Sequence, residues 1–247
     1  LIPHIPFLRD LGFMSRMFKI PILILKRCCL VVLLGVGCNS QVMGLASDNF
    51  NQILTLAIEG DRLQLQQLIQ QGGSIDVVDR RGRSVVLLVT MKSNMQALRL
   101  LIELGADVDF YDETKSQEVI DQTAFLYAGA QGMNEAVALL INAGAKPDIY
   151  NYYGGTALIP AAEKGHVDTV KLLLEDSKID INHVNNLGWT ALMEAVILSD
   201  GGLKHQQIVA LLLAYGADPD ITDKQGVSVL KHARDRGFAA IVELLIK

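Results

Sequence analysis

Five histidines, His4, His166, His183, His205 and His232, are the residues of this chain best suited to proton transfer or metal ligation. Their spacing argues against both. No two form an H-x-x-x-H pair and none has a carboxylate at metalloenzyme spacing, so no metal site is expected. Gly154-Gly155-Thr156 places a glycine pair before a hydroxyl, but no G-x-x-x-x-G-K phosphate loop and no G-x-S-x-G nucleophile elbow occurs. The three cysteines, Cys28, Cys29 and Cys38, all precede residue 47, leaving the rest of the chain without a thiol nucleophile, a disulfide or a cysteine ligand. Among the carboxylates, Glu163 and Glu194 are the pair a hydrolase could use. Asp107 with Asp109, and Asp218 with Asp220, stand in turn sequences where such side chains satisfy backbone N–H groups. These residue types predict no catalytic centre and no cofactor.

Composition narrows the class further. With 22 Lys and Arg against 27 Asp and Glu the net charge is -5, which lacks the cationic surface that nucleic-acid backbones require. Half of the 247 residues are hydrophobic, which excludes disorder and suits one globular domain or one repeat array. Aromatics make up only 6%, and Leu, Ile, Val and Ala supply most of the apolar content, a balance that favours helices.

Residues 1–46 differ from the remainder. They carry five bases (Arg9, Arg16, Lys19, Lys26, Arg27) and one acid, Asp10, so residues 47–247 hold 17 bases and 26 acids, a net charge of 17 - 26 = -9. Lys26 and Arg27 precede the uncharged run Cys28–Cys38, which has the pattern of a basic segment followed by the apolar core of an export signal. That run is shorter than the roughly 20 apolar residues a spanning helix needs. Two ends are readable: a lipoprotein-like box, Leu33–Cys38, with Cys38 as the lipid-bearing residue and Gly35 where an aliphatic residue is usual, or cleavage after Ala46 in Gly44-Leu45-Ala46. An uncleaved anchor using Ile20–Leu25, its basic pair snorkelling, is the remaining alternative. Met14 or Met17 is a candidate start, with residues 1–16 read as an upstream extension.

The remainder repeats. Aligning Asn51, Ser84, Thr123, Thr156, Thr190 and Ser228 gives steps of 33, 39, 33, 34 and 38 residues, a period near 33 with insertions. Nine residues after the anchor comes Gly60, Gly132, Gly165 or Gly237, a natural helix stop, replaced by Ser93 and Ser199 in two copies. An apolar signature follows, as in Leu98-Arg-Leu-Leu-Ile, Val137-Ala-Leu-Leu-Ile and Val170-Lys-Leu-Leu-Leu, with apolar side chains at i, i+3 and i+4. Each unit ends in a turn such as Gly105-Ala-Asp or Gly216-Ala-Asp-Pro. A unit of this size cannot bury its apolar face alone, so neighbours must stack.

Segments 155–182 (GTALIPAAEKGHVDTVKLLLEDSKIDIN), 187–202 (LGWTALMEAVILSDGG) and 208–226 (IVALLLAYGADPDITDKQG) resemble ankyrin repeats, and the resemblance covers about residues 50–247. It implies an all-α solenoid of about six helix-turn-helix repeats with projecting β-hairpin loops, the repeats falling near 50–79, 80–110, 111–149, 150–182, 183–221 and 222–247. It also gives His166 the role of hydrogen-bonding backbone of an adjacent loop. Three departures stand out. The proline that usually follows the anchor is absent and Pro160 lies four residues past Thr156, where its missing N–H is expected to be tolerated. Insertions fall at 110–122 and 199–205 and are expected in surface loops. Ser177 replaces a turn glycine, which leaves a left-handed helix end there in doubt.

The resemblance implies a non-catalytic protein-binding module whose partner lies against the loop tips and the concave face of the first helices. Carried over by position, the candidate partner-binding residues are Arg80, Arg81, Arg83, Tyr111, Tyr152, Tyr153, Trp189, Ile197 and Leu198. They include the only Trp and three of the six Tyr, residue types enriched at interface hot spots. The competing expectation is that the Tyr and Trp rings pack between loops as core. With an export segment, the module is expected in the bacterial envelope, periplasmic or lipid-anchored, as a monomer, serving one partner protein as an accessory or immunity protein.

Overall fold

The computed structural model describes residues 38–112, 114 and 123–246. The export-segment features of residues 1–37, and the loop-tip residues Val119 and Ile120, lie outside the described residues. The chain divides into a unit of residues 1–45 and a unit of residues 46–247; the second carries the repeats.

Twelve helices are seen among the described residues: α1 (Cys38–Glu59), α2 (Arg62–Gln70), α3 (Val85–Met91), α4 (Met95–Glu103), α5 (Ala124–Ala130), α6 (Asn134–Asn142), α7 (Leu158–Glu163), α8 (Val167–Asp176), α9 (Ala191–Ile197), α10 (Leu203–Ala214), α11 (Val229–Asp235) and α12 (Ala239–Leu245). From α3 onward they form two stacks. The inner helices pack in the order α3, α5, α7, α9, α11, and the outer helices in the order α4, α6, α8, α10, α12. No helix of the described residues is long and apolar enough to cross a membrane.

The inner helices are only one and a half to two turns long, too short to persist alone in water. Burial holds them. Val85 to Thr90 of α3, and Ala191 to Val196 of α9, are buried without a break. Cores this narrow demand small residues at contact points. A Cβ placed on Gly129 in α5 would stand 2.8 Å from Cβ of Ala157, so the start of α7 approaches α5 only because residue 129 has no side chain. In α1, Phe50, Ile53, Leu56 and Ala57 recur on one helical face and join the same core. All four follow both candidate processing points, so processing at either leaves this face in place.

The repeat anchors act as helix caps. The Ser84, Thr123, Thr190 and Ser228 side chains accept from the N–H of Leu87, Leu126, Met193 and Lys231, satisfying one of the free donors at each helix start. In the same four repeats the N–H of Leu88, Tyr127, Glu194 and His232 donates to the anchor carbonyl. Thr156 breaks the series. Its fourth successor is Pro160, which has no N–H, so Ile159 N–H bonds the Thr156 carbonyl at 3.3 Å instead and α7 begins a residue late. The Thr156 hydroxyl is left buried with no hydrogen-bond partner. The proline is thus costlier than its position in the first turn suggests. Pro160→Ala is expected to restore both bonds and raise the unfolding free energy by about 1 kcal/mol in urea denaturation; an unchanged or lower stability would show that packing of the pyrrolidine ring outweighs the cap.

The loops between repeats are hairpins reduced to their closing bonds. Among the described residues only two isolated antiparallel bridges form, Val78 with Ser84 and Thr222 with Ser228. In four of the loops the N–H of Asp79, Asn151, Asn185 and Asp223 donates to the carbonyl of Arg83, Gly155, Trp189 and Val227, and the side chain of the same residue reinforces that closure. Asp79 Oδ1 accepts from the backbone N–H of Arg81 and Arg83, both at 2.9 Å. Asn151 does the same for Tyr153 and Gly155, Asn185 for Leu187 and Trp189, and Asp223 for Gln225 and Val227. In these four loops the side-chain bonds form a two-bond collar around one Asp or Asn oxygen, and each loop between helix pairs is here called a finger. The fingers lie at 71–84, 104–123, 143–157, 177–190 and 215–228, between successive helix pairs.

Two expectations about turns hold. The Asp107 and Asp218 carboxylates accept from Asp109 and Asp220 N–H, and Asp109 also accepts from Lys146 N–H of the next finger. Ser177 ends α8 in an extended conformation, φ -106°, rather than a left-handed one. Ser93, standing where glycine is usual, takes φ +54°, the left-handed region that L-residues adopt at a cost.

Candidate functional site

The third and fourth fingers and the helices that follow them, α7 and α9, enclose a pocket of about 480 Å³. Its walls are built by the repeat. Asn151 and Asn185, the collar residues of the two fingers, lie on its lining with Tyr153, Leu187 and Trp189. Ile159, Pro160 and Glu163 of α7, and Glu194 of α9 with Leu198 just beyond, complete it beside Lys164. A cleft of this size, mostly apolar with a few convergent polar groups, is the usual form of a binding site. Tyr153, Leu187 and Leu198 are each close to half exposed, so the mouth is apolar and open to solvent.

Glu194 is the unusual member. It projects from α9 into the lining yet is only 5% exposed. Asn185 Nδ2 donates to its Oε1 at 2.8 Å. Burial pushes the carboxyl up to about 7, the negative charge of Glu163 adds to the rise, and the Asn185 bond partly opposes it. The equivalent position of the next repeat is His232, whose Nε2 lies 2.8 Å from Oδ2 of the collar residue Asp223. Collar residue and inner helix are thus joined by a side-chain bond in both repeats. In the third finger that position is Pro160, which has no polar group to offer Asn151.

The candidate residues separate into several places. Tyr153, Trp189 and Leu198 line the pocket just described. Tyr152 is half exposed beside it, its ring edge-on to Tyr153 at 5.2 Å. Trp189 and Ile197 are half-buried and pack against the core, so for the Trp ring the competing expectation is partly met. Arg80, Arg81 and Arg83 line a different pocket of about 610 Å³ with Phe50, Leu54, Met91 and Lys92. Within it the Arg83 guanidinium is paired to Asp79 at 2.6 Å, which neutralises its charge inside the finger, while Arg80 and Arg81 are exposed. Tyr111 is half-buried in the second finger, and lines neither pocket.

Three histidines join one repeat to the next. The His166 ring bonds the Ala130 backbone; burial, and then the charge of Lys164, lower its pKa despite that bond. It lies so close to Gly132 that a Cβ there would be 2.6 Å from Nδ1. His205 Nε2 lies 2.9 Å from the carbonyl oxygen of Glu163, which is the repeat equivalent of Ala130. The insertion at 199–205 moved this second histidine out of phase, and sequence reasoning missed it for that reason. His183 Nε2 reaches the Gly154 carbonyl at 2.6 Å, and its ring stacks on Tyr150 with centroids 4.4 Å apart. Among the described residues no group of three or more His, Cys, Asp or Glu could hold a metal ion.

Stacked helix pairs, finger loops and a groove lined from two adjacent repeats define a class of repeat scaffold. A model of ankyrin repeats in three copies matches residues 53–151 and again 125–223, and the chain belongs to the ankyrin-repeat family. Over 196 residues it is 38% identical to the ankyrin repeat protein YahD of Escherichia coli (strain K12), covering 78% of this chain and 93% of that one. The crystal structure of an ankyrin repeat domain from Acinetobacter baumannii AYE superposes with a TM-score of 0.71 at 44% identity, over 79% of this chain and 96% of that domain. That of the ankyrin repeat protein EF0377 gives 0.70 at 37% identity, over 80% and 98%. Ankyrin repeats are protein–protein interaction modules, and the fold is generally a non-enzymatic scaffold.

Proposed function

We propose that this protein is a binding module of the bacterial envelope that holds one partner protein across the third and fourth fingers and the adjoining ends of α7 and α9. The observation that carries the reading is the apolar mouth of the 480 Å³ pocket, where Tyr153, Leu187 and Leu198 surround Trp189 and Tyr152 stands alongside. Aromatic side chains grouped around a concavity are the usual anchors of an interface, because they bury a large area at little entropic cost. The exposed Arg80 and Arg81 extend the surface at the first finger as a charged rim. The basic and apolar pattern before residue 47 supports the reading of an exported periplasmic protein or a Cys38-linked lipoprotein. Within the envelope the module is read as a monomeric accessory or immunity protein.

A photoreactive amino acid in place of Tyr152, in cells that naturally make the protein, tests the site. One crosslinked partner is expected, and Trp189→Ala combined with Tyr153→Ala is expected to remove it while the circular dichroism stays helical. Crosslinking that survives both substitutions would move the interface elsewhere. Mass spectrometry of the mature N-terminus, with Cys38→Ala alongside, reads the export step, and an unprocessed chain in the soluble fraction would overturn the envelope reading.

A further inference from the structure

We propose that the pocket between the third and fourth fingers receives a basic side chain, lysine or arginine, of the bound protein, with its cation at Glu163 and Glu194 and its aliphatic stem against Trp189 and Leu198. This rests on the reading of the groove as a protein-binding site and adds the chemistry of what enters it.

A carboxyl as enclosed as that of Glu194 normally has both oxygens hydrogen-bonded or its charge paired, since a desolvated carboxylate is otherwise unfavourable. Here Asn185 donates to Oε1, while the second oxygen receives no hydrogen bond yet is not a fully buried orphan, which leaves it open to the pocket. The charge that acts on this carboxyl is another carboxylate, Glu163, on the lining of the same pocket. Two acids held close enough to repel across an apolar cleft leave a position where a cation would relieve the repulsion and supply the missing donor. Lys164 is exposed on the rim and makes no ion pair with either acid.

The walls suit the rest of such a side chain. Lysine and arginine stems lie well on apolar surface, and the faces of Trp and Tyr attract a cation. Trp189 and Tyr153 supply those faces, and the volume of about 480 Å³ accommodates a whole side chain. At longer range, the -9 net charge of residues 47–247 favours approach of a basic surface.

Trp189 is the only tryptophan of the chain, so its fluorescence reports occupancy directly. The probes are acetyl-Ala-Lys-Ala-amide and acetyl-Ala-Arg-Ala-amide, with the uncharged norleucine tripeptide and the Glu tripeptide as controls. Saturable quenching or a spectral shift at millimolar concentration is expected with the cationic probes. Glu163→Gln combined with Glu194→Gln is expected to weaken it by about tenfold or more, and Lys164→Gln, which removes a competing cation from the rim, to tighten it. Glutamine still accepts the Asn185 bond, so the double variant is expected to fold, and Glu163→Gln alone serves as a second test. The proposal is overturned if the norleucine peptide binds equally, if the carboxamide variants bind the cations as well as the parent, or if no saturable response occurs. Free spermidine binding as tightly as the peptides would also overturn it, in favour of a small-amine site. A crosslinked partner retained by the double Gln variant but lost in Trp189→Ala would refute the cation and leave the groove reading intact.

Discussion

Phe125→Ala lowers the free energy of unfolding by about 3–5 kcal/mol, the ordinary cost of removing a fully buried aromatic ring and leaving a cavity. Phe125 is 1% exposed and the largest of the fully enclosed side chains. It sits on α5, and α5 packs against α3 on one side and α7 on the other. Stability in a stacked array is approximately a sum of intrinsic and neighbour terms, so a defect at α5 weakens two interfaces at once. Urea denaturation followed by circular dichroism reads the total loss. Hydrogen exchange adds where it is felt: amides of α3 and α5 are expected to lose protection before those of α9 and α11. Uniform loss along the chain would show a single cooperative unit instead, and a change below about 1 kcal/mol would mean the site collapses around the missing ring.

The second large effect concerns pH. The Glu194 carboxyl is raised to about 7 in the folded chain, against 4.5 when unperturbed. Between those values the folded state still holds a proton that the unfolded chain has released. Stability contributed by the protonated group is therefore complete below pH 4.5 and declines as pH rises towards 7. Across that window the loss amounts to about 3 kcal/mol. Glu194→Gln removes the titration while keeping an acceptor for Asn185, so at pH 8 the variant is expected to be more stable than the parent by roughly 2–3 kcal/mol, and near pH 4.5 to be similar. His166 works in the opposite sense, because its lowered pKa withdraws stability as pH falls below its ordinary range. It is common to both proteins, so the difference between their stability curves isolates Glu194. A difference that does not change between pH 5 and 8 would mean that the carboxyl is already ionised.

Much of the fold is legible before any coordinates are seen. A period near 33 residues reports the stacking, and the Ser and Thr anchors lie at the helix starts they cap because a short side-chain oxygen can reach the N–H three residues on, as those of Asp61 and Asn94 also do. Other features depend on what neighbours do. Glu194 is readable as a groove carboxylate beside Glu163; its enclosure arises from Asn185 and α7, which no local pattern reports. Pro160 looks harmless by position, and only the missing Thr156 bonds show its effect. The hairpin loops are implied by the family pattern, and the collars that reinforce them are visible in the sequence as an Asp or Asn three places before a glycine in Asp79-x-x-Gly82, Asn151-x-x-Gly154, Asn185-x-x-Gly188 and Asp223-x-x-Gly226. Spacing alone could have found them. For the candidate site, residue type picked out Tyr153, Trp189 and Leu198, but their union with Glu163 and Glu194 in one cleft depends on how far one finger stands from the next.

The collar has a consequence for how such a protein can change. Its bonds use one side-chain oxygen and the amides of the second and fourth residues beyond, so the two tip residues enter only through their backbone. Pairs as different as Arg80-Arg81, Tyr152-Tyr153, Asn186-Leu187 and Lys224-Gln225 occupy the same frame. Proline is excluded at the second tip position, where an amide must donate; the collar itself places no such demand on the side chains there. Recognition and foldability are thereby uncoupled at the tips, so a finger can acquire a new specificity by substitution while the loop that carries it keeps its form.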